Sequence, residues 1–380
     1  MSIPLDKREI TPAPPTARPA AGSSDWLARA QEAVLPPIVA LLIAAVVGDV
    51  LILSYGQSPG TVYRLLVEGT WANAYGFGQV LYKTTTLTFT GLAVAFGLRA
   101  GLFNIGAEGQ LAAGGFMAAL VGLLLPSGLP ALLTLPLYIV VAAIGGGIVG
   151  AVPGALKAKF GAHEVITTIM LNFVVLALLN YFTAAHLAVA GTLHTNAVHS
   201  GALSRLATFW NGFHGSAANL VLFIAIAVTI AAWWYLFRMR GGFELRAVGL
   251  QPEAAEYGGV NVGRVWITAM TLSGAVAGIG GLNFVLGYKG YYEDGFASGA
   301  GFMGIAVAIV GRSHPIGVLL AALLFATISQ GGLAVNALVP QQIVDVLQAV
   351  VIIAVAASVP EVRRLLRAAA GRAAASLRTA

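Results

Sequence analysis

Most of this chain consists of long apolar runs separated by short polar or glycine-rich breaks. By length and hydropathy these runs predict ten membrane-crossing segments, at about 34–53, 79–98, 102–125, 131–152, 164–185, 217–237, 266–287, 300–311, 315–334 and 341–358. The expected fold is an all-α polytopic membrane protein. The eighth segment is too short to cross a ~30 Å hydrocarbon core as a straight helix, so a half-helix joined to the loop Gly287–Gly301 is expected there. Thr84 to Thr86 put hydroxyls inside the second segment. Gly145-Gly146-Gly147 and Gly150 in the fourth predict close helix contacts. A surface helix fits the loop around Arg64 and Glu68.

The membrane domain is placed at 34–360. Residues 1–33 carry five prolines and four bases and read as a disordered cytoplasmic tail, with a short interfacial helix over Trp26 to Ala33. Residues 361–380 form a basic tail, 186–216 an outer loop and 239–264 a long cytoplasmic loop.

Composition agrees. The chain has 380 residues, 58% hydrophobic and 9% charged, with mean hydropathy +0.84. A soluble protein carries about 25% charged residues. There is no cysteine, hence no disulfide or thiolate metal site. The net charge of +6 raises the question of nucleic acid, but its distribution answers it. With the N-terminus inside, 17 of the 21 bases fall on cytoplasmic segments. Only Arg64, Lys83, Arg205 and Lys289 fall on the other side. The positive-inside rule thus places both termini in the cytoplasm, and no nucleic-acid partner is expected.

One stretch does not suit a continuous membrane helix: Gly101-Leu-Phe-Asn-Ile-Gly-Ala-Glu-Gly-Gln110. Glycine weakens a helix, and a carboxylate at membrane depth is costly without partners. Such backbone is tolerated where it lines a cavity or is buried in protein. One reading is a glycine-lined helix contact with Glu108 held by a structural partner. The other is an unwound segment on a solute pathway, with Asn104, Glu108 and Gln110 hydrogen bonding and Phe103 supplying a face for stacking.

This stretch resembles the permease subunits of ABC importers in the branched-chain amino acid and simple sugar superfamily, and within it the nucleoside-uptake branch. Two further blocks are similar to that branch: His163-Glu-Val-Ile-Thr-Thr-Ile-Met-Leu-Asn172, and Glu293 to Gly311 followed by Arg312-Ser-His-Pro315. His163 stands where asparagine is usual, and Met303 where an acid is common. The resemblance covers roughly 80–360. It implies a separate ABC ATPase subunit that binds the ATP, a second permease chain different from this one, an extracytoplasmic substrate-binding lipoprotein and a bacterial inner-membrane location. This chain would need no cofactor of its own.

The cytoplasmic loop holds Pro252, which suits a first helical turn, with Glu253 and Glu256 near the positive helix end. Gly258-Gly259 can stop the helix. A two-turn helix is therefore expected outside the membrane. It reads either as an interfacial linker or, by resemblance, as the helix that couples to the ATPase through Glu253, Ala254, Ala255, Glu256 and Gly258. Thr168 and Asn172, four apart, share a helix face; inter-helix hydrogen bonding and a share in the solute path are both open. Asp49 and Asp345 read as solvated or inter-helix acids. Tyr288, Tyr291, Tyr292, Glu293 and Asp294 join the outer loop as a docking surface for a binding protein, or form an aromatic belt.

The six histidines show no metal-ligand spacing, so no metal is expected. None of the five lysines follows a glycine, so there is no P-loop. No catalytic set is apparent, and the chain is expected to be a transport subunit and not an enzyme. An ion-coupled secondary transporter, a sugar or branched-chain amino acid permease, and a receptor or scaffold are the competing readings.

Overall fold

The structure, a computed structural model, describes residues 24–355, and the regular elements among them are helices apart from isolated β-bridges. The expected disordered segment falls outside these residues up to position 23, and the basic tail 361–380 falls wholly outside them.

Helix α1 (Ser24–Ser54) takes in the segment expected as a separate interfacial helix and runs on without a break. Helix α2 (Pro59–Thr70) follows, with Pro59 in its first turn. Its axis is bent 111° from the Leu41–Ser54 part of α1. A small apolar cluster of Ile52, Val62, Val335 and Val339 fixes that bend.

Helix α3 (Ala74–Arg99) is the hub of the bundle. Phe89, Ala93 and Val94 are fully buried in the main core. Thr84 and Thr88 return their hydroxyls to their own helix, donating to Val80 O and Thr84 O at 2.7 Å. A helix sheathed by other helices need not be uniformly apolar, which is why α3 is rich in threonine.

Helices α4 (Ala107–Leu124), α5 (Ala131–Phe160), α6 (Glu164–Phe182) and α7 (Val221–Arg238) follow. Two short helices, α8 (Arg240–Leu250) and α9 (Pro252–Tyr257), precede α10 (Val262–Gly280). The short α11 (Leu282–Phe284) and a π-turn at Val285–Lys289 extend α10. Helices α12 (Ala300–Val310), α13 (Pro315–Val335) and α14 (Gln341–Val355) complete the described bundle.

The apolar stretches of α6 and α7 are only 22% and 28% buried, against 72% and 78% for α4 and α10. The first pair therefore presents its apolar surface outward to lipid, and the second forms the interior. Helices α5 and α10 cross at their glycines. A Cβ on Gly146 would strike the Gly274 carbonyl, and one on Gly274 would strike the Gly146 carbonyl. Small residues let the two backbones meet, as the glycine run suggested.

Against the ten crossings expected, six helices among the described residues are long and apolar enough, or seven if α1 and α2 count as one bent span. The difference has physical causes. Lys83 and the threonines lower the hydropathy of α3. Helix α12 is an 11-residue half-helix, as its length foretold. Helix α14 is described only as far as Val355.

Candidate functional site: a polar cavity braced by a broken helix

The chain leaves the helix at the glycine-rich stretch. Gly101 takes φ +74°, a left-handed conformation that glycine enters without a Cβ penalty, and α4 resumes at Ala107. Between them the backbone is held by side chains. Asn104 and Gln110 form a reciprocal amide pair at 2.8 and 3.2 Å. Asn104 also donates to Ser273 Oγ at 2.6 Å and accepts from Gly106 N at 2.8 Å. From α6, Asn172 donates to Ile105 O at 2.8 Å and accepts from Gly109 N at 2.9 Å. Thr168 accepts from Ile105 N at 3.3 Å. Thr168 and Asn172 do share a face, and that face is spent on the broken backbone.

Glu108 completes the arrangement. Its two carboxylate oxygens accept from Gly299 N at 2.7 Å and Gly301 N at 2.6 Å, at the N-terminus of α12. An anion there meets free N–H groups and the positive end of the helix dipole. Gly301 has no room for a side chain against the Ala107–Glu108 backbone. Of the residues proposed for the solute path, Asn104, Gln110 and Thr168 are 0% exposed, Asn172 3% and Glu108 6%. Phe103 is half-buried. The structure brings the polar five together but satisfies them with protein partners.

Free polar groups lie on the other side of this brace. A cavity of about 550 Å³ opens between α3, the start of α12, α13 and α14. That volume falls within the ~300–1,000 Å³ usual for small-molecule sites. Lys83 enters from α3 and donates to Ser329 Oγ at 3.1 Å. Asp345 and Gln348 enter from α14, and Tyr82, Phe296 and Phe325 supply rings. Gln348 is 4% exposed, yet neither its amide nor the Asp345 carboxylate has a hydrogen-bond or ionic partner among the described residues. Ser298 (φ +45°) and Gly299 (φ +81°) form the wall that Glu108 holds. The sequence reading missed Lys83, Gln348 and the ring set; it read Asp345 as a solvated or inter-helix acid, and Asp345 is exposed at the cavity. The available signal was Lys83 itself, one of four bases against the charge rule and the one of them that falls inside a predicted segment.

At the opposite end, the expected two-turn helix is α9, and α8 beside it was not foreseen. Glu253, Ala254, Glu256 and Gly258 are exposed, but Ala255 is 8% exposed and faces the body of the protein. Ala255 therefore anchors α9 and does not form its outer surface. Tyr257, 96% exposed, and Leu250, 88%, add apolar groups beside the two glutamates. Gly249 of α8 lies so close to Arg99 and Ala100 that a Cβ would strike the Arg99 carbonyl. Arg99 Nε donates to Ser313 O at 2.9 Å, in a turn where Arg312 and Ser313 both have positive φ. Burial and the nearby Arg99 hold the His314 imidazole below its ordinary pKa. Helix α8 thus rests directly on the start of the broken segment.

The loop at 186–216 and the segment after α10 knit together. Val198 N donates to Gly290 O at 2.8 Å, Thr195 N to Tyr292 O at 2.9 Å, and the His194 and Tyr291 rings stack at 4.4 Å. Trp210 and Phe209 stay about 70% exposed, at 71% and 70%. Among the described residues no cluster of three or more His, Asp or Glu side chains could hold a metal ion.

An interior broken helix, a half-helix capped by a carboxylate and an exposed short helix between apolar ones suit a membrane permease. Residues 76–356 match the family model for the permease component of the branched-chain amino acid transport system, from α3 into α14. The chain belongs to that family and is a multi-pass permease subunit of an ABC transporter. It is 37% identical over 337 residues to the guanosine ABC transporter permease protein NupP of Bacillus subtilis, covering 85% of this chain and 93% of NupP. It is 34% identical over 330 residues to the nucleoside ABC transporter permease protein NupB of Lactococcus lactis, covering 85% and 90%. The glucose ABC transporter permease protein TsgB13 of Haloferax volcanii is 32% identical over 365 residues, covering 93% and 90%. No solved structure matches the chain.

Proposed function

We propose that this chain forms the translocation pathway for nucleosides in an importer of the bacterial inner membrane. The observation that carries the reading is the cavity between α3, α12, α13 and α14, where Gln348 and Asp345 lack protein partners beside aromatic rings. A nucleoside has an aromatic base, a polar base edge and ribose hydroxyls, which such a mixed lining suits. The names of NupP and NupB support the same class. In this reading the chain crosses the membrane ten times with both termini in the cytoplasm. The outer loops receive a substrate-binding lipoprotein, and a second, different permease chain completes the pathway. A separate ATPase subunit docks on α9 through Glu253, Ala254, Glu256, Gly258 and Tyr257. ATP is bound by that partner, and this chain carries no cofactor.

Asn104, Gln110, Thr168, Asn172 and Glu108 serve the pathway as its brace. Movement of α8–α9 would reach Gly101 through Gly249, and α4 would carry it through Glu108 to the Ser298–Gly299 wall. Two packings of that wall, biased by ATP binding on the partner, would give outward and inward access. The test is uptake of a radiolabelled nucleoside by proteoliposomes holding the complete complex. ATP-dependent nucleoside uptake, with no leucine or ribose uptake, is expected. Glucose uptake in place of nucleosides would favour the sugar reading that TsgB13 suggests. Uptake driven by a proton or sodium gradient without the ATPase would replace the whole scheme.

A further inference from the structure

At the end of the bundle that carries α8 and α9, the seam between α7 and α13 gathers positive charge without an acid to balance it. Phe237, in the last turn of α7, is the centre of the group. The Arg99 guanidinium lies 5.6 Å from its ring centroid, that of Arg246 5.1 Å, and the His314 ring 5.3 Å. Trp233, one turn back on α7, packs 6.4 Å from Phe237 and carries the Arg238 guanidinium at 5.9 Å. Guanidiniums from α3, α7 and α8 therefore share two neighbouring rings. Cation–π contact holds each in place but brings no negative charge.

Among the described residues Arg99, Arg238 and Arg246 form no ion pair. Glu244, the acid on α8, is bound to Arg240 at 2.8 Å. Arg99 and Arg246 each direct Nε to a backbone carbonyl, Ser313 O at 2.9 Å and Gly242 O at 3.4 Å, which leaves their terminal nitrogens free. Both side chains are half-buried, and a guanidinium keeps its charge in such a place. Like charges held together where water is scarce are stabilised by an anion between them. A phosphate suits the site, because its oxygens match the fork of a guanidinium.

The surroundings point to the source of that phosphate. The apolar stretch of α7 is only 28% buried, and Ile230 and Trp234 are exposed in the two turns before Phe237. Ile316 and Leu320 are exposed in the first two turns of α13. Apolar surface open to lipid thus leads into the cluster from both helices, and the tryptophans suit the headgroup level. A phospholipid fits both parts, with its acyl chains along the helices and its phosphate among the bases.

We infer that the α7–α13 seam binds an anionic phospholipid, its headgroup phosphate held by Arg99, Arg238 and Arg246. Arg99 ends the helix that leads into the broken segment, and Arg246 sits on α8, so the lipid also ties those two elements together. The inference is independent of which solute is carried.

The test is native mass spectrometry of the complete importer, released from micelles holding phosphatidylglycerol and phosphatidylcholine in equal amounts. This chain should retain phosphatidylglycerol over phosphatidylcholine by about tenfold or more. Arg238→Gln with Arg246→Gln should reduce that preference to about twofold. Lys159→Gln with Arg264→Gln removes two exposed bases from the same end, outside the cluster, and should leave the preference unchanged. If the Arg238 and Arg246 double variant does not assemble, Arg246→Gln alone decides and should lower the preference about threefold or more. No preference in the wild type would overturn the inference. So would an equal loss in the Lys159 and Arg264 variant, which would reduce the effect to general surface charge. Displacement of the lipid by millimolar glycerol phosphate would assign the cluster to a free phosphate instead. Loss of the ATPase subunit from the Arg238 and Arg246 variant, with lipid retention intact, would assign it to an acidic segment of that subunit. Either result overturns the lipid site.

Discussion

Glu108 joins the broken helix to the cavity wall, so its removal should loosen one specific place. Its carboxylate accepts from the Gly299 and Gly301 amides at 2.7 and 2.6 Å and is 6% exposed. In Glu108→Ala both amides lose their acceptor, the Gly301 one in a buried place and the Gly299 one at the cavity wall. Each unsatisfied donor costs about 1–3 kcal/mol, so the start of α12 should lose about 2–6 kcal/mol of local stability. The lower bound corresponds to about 30-fold easier opening, since about 1.4 kcal/mol is tenfold. Hydrogen exchange followed by mass spectrometry on the purified complex reads this directly. Exchange at Gly299–Gly301 should accelerate about 30-fold or more, while α5 and α10 keep their protection. Nucleoside uptake should fall at least tenfold in parallel. Glu108→Gln keeps one acceptor oxygen and should lie between. Normal exchange at α12 combined with lost transport would refute the bracing role and point to direct contact between Glu108 and the solute.

Three other outcomes are expected. Reversing the charge of α9 with Glu253→Arg and Glu256→Arg should reduce substrate-stimulated ATPase activity severalfold in the reconstituted complex; full stimulation would remove α9 from the ATPase interface. A cysteine at His199 of this cysteine-free chain should react with an impermeant thiol reagent from outside, and one at Gln251 only after permeabilisation; the reverse pattern would invert the topology. Gly274→Ala places a methyl against backbone atoms of Gly146 and Gly150 that cannot rotate away, so thermal unfolding of the purified protein should show a loss of about 1–3 kcal/mol. No change there would mean that α5 and α10 can separate freely.

Much of the architecture was legible because lipid and close packing leave local marks. Apolar runs located the helices, the glycines at Gly146 and Gly150 announced a close helix contact without naming its partner, and Gly101 with Asn104 marked the break. Pro252 and the two following glutamates located α9. What partners Glu108 was not legible. Its carboxylate meets backbone N–H groups 191 and 193 residues further along, and a backbone donor has no side-chain signature. The same lack hid the cavity, whose walls come from α3, α12, α13 and α14. Only the fold shows that Lys83 and Asp345 line one space. Helix α8 escaped notice because Gly241, Gly242 and Gly249 read as loop. Each of Gly242 and Gly249 instead packs against another backbone, at Tyr235 and Arg99 respectively. Ala255 looked like docking surface by resemblance, and its burial became visible only when α9 was set against the bundle.

The transport scheme turns on whether a nucleoside occupies the cavity. Met303 lines it, so Met303→Cys in this cysteine-free chain gives a single thiol there. The decisive measurement is the rate at which a small thiol reagent labels that cysteine in the assembled complex, with and without solute. Saturating nucleoside should slow labelling severalfold, while leucine and glucose leave it unchanged. Labelling that no nucleoside slows, or that leucine slows equally, would contradict nucleoside occupancy of the cavity.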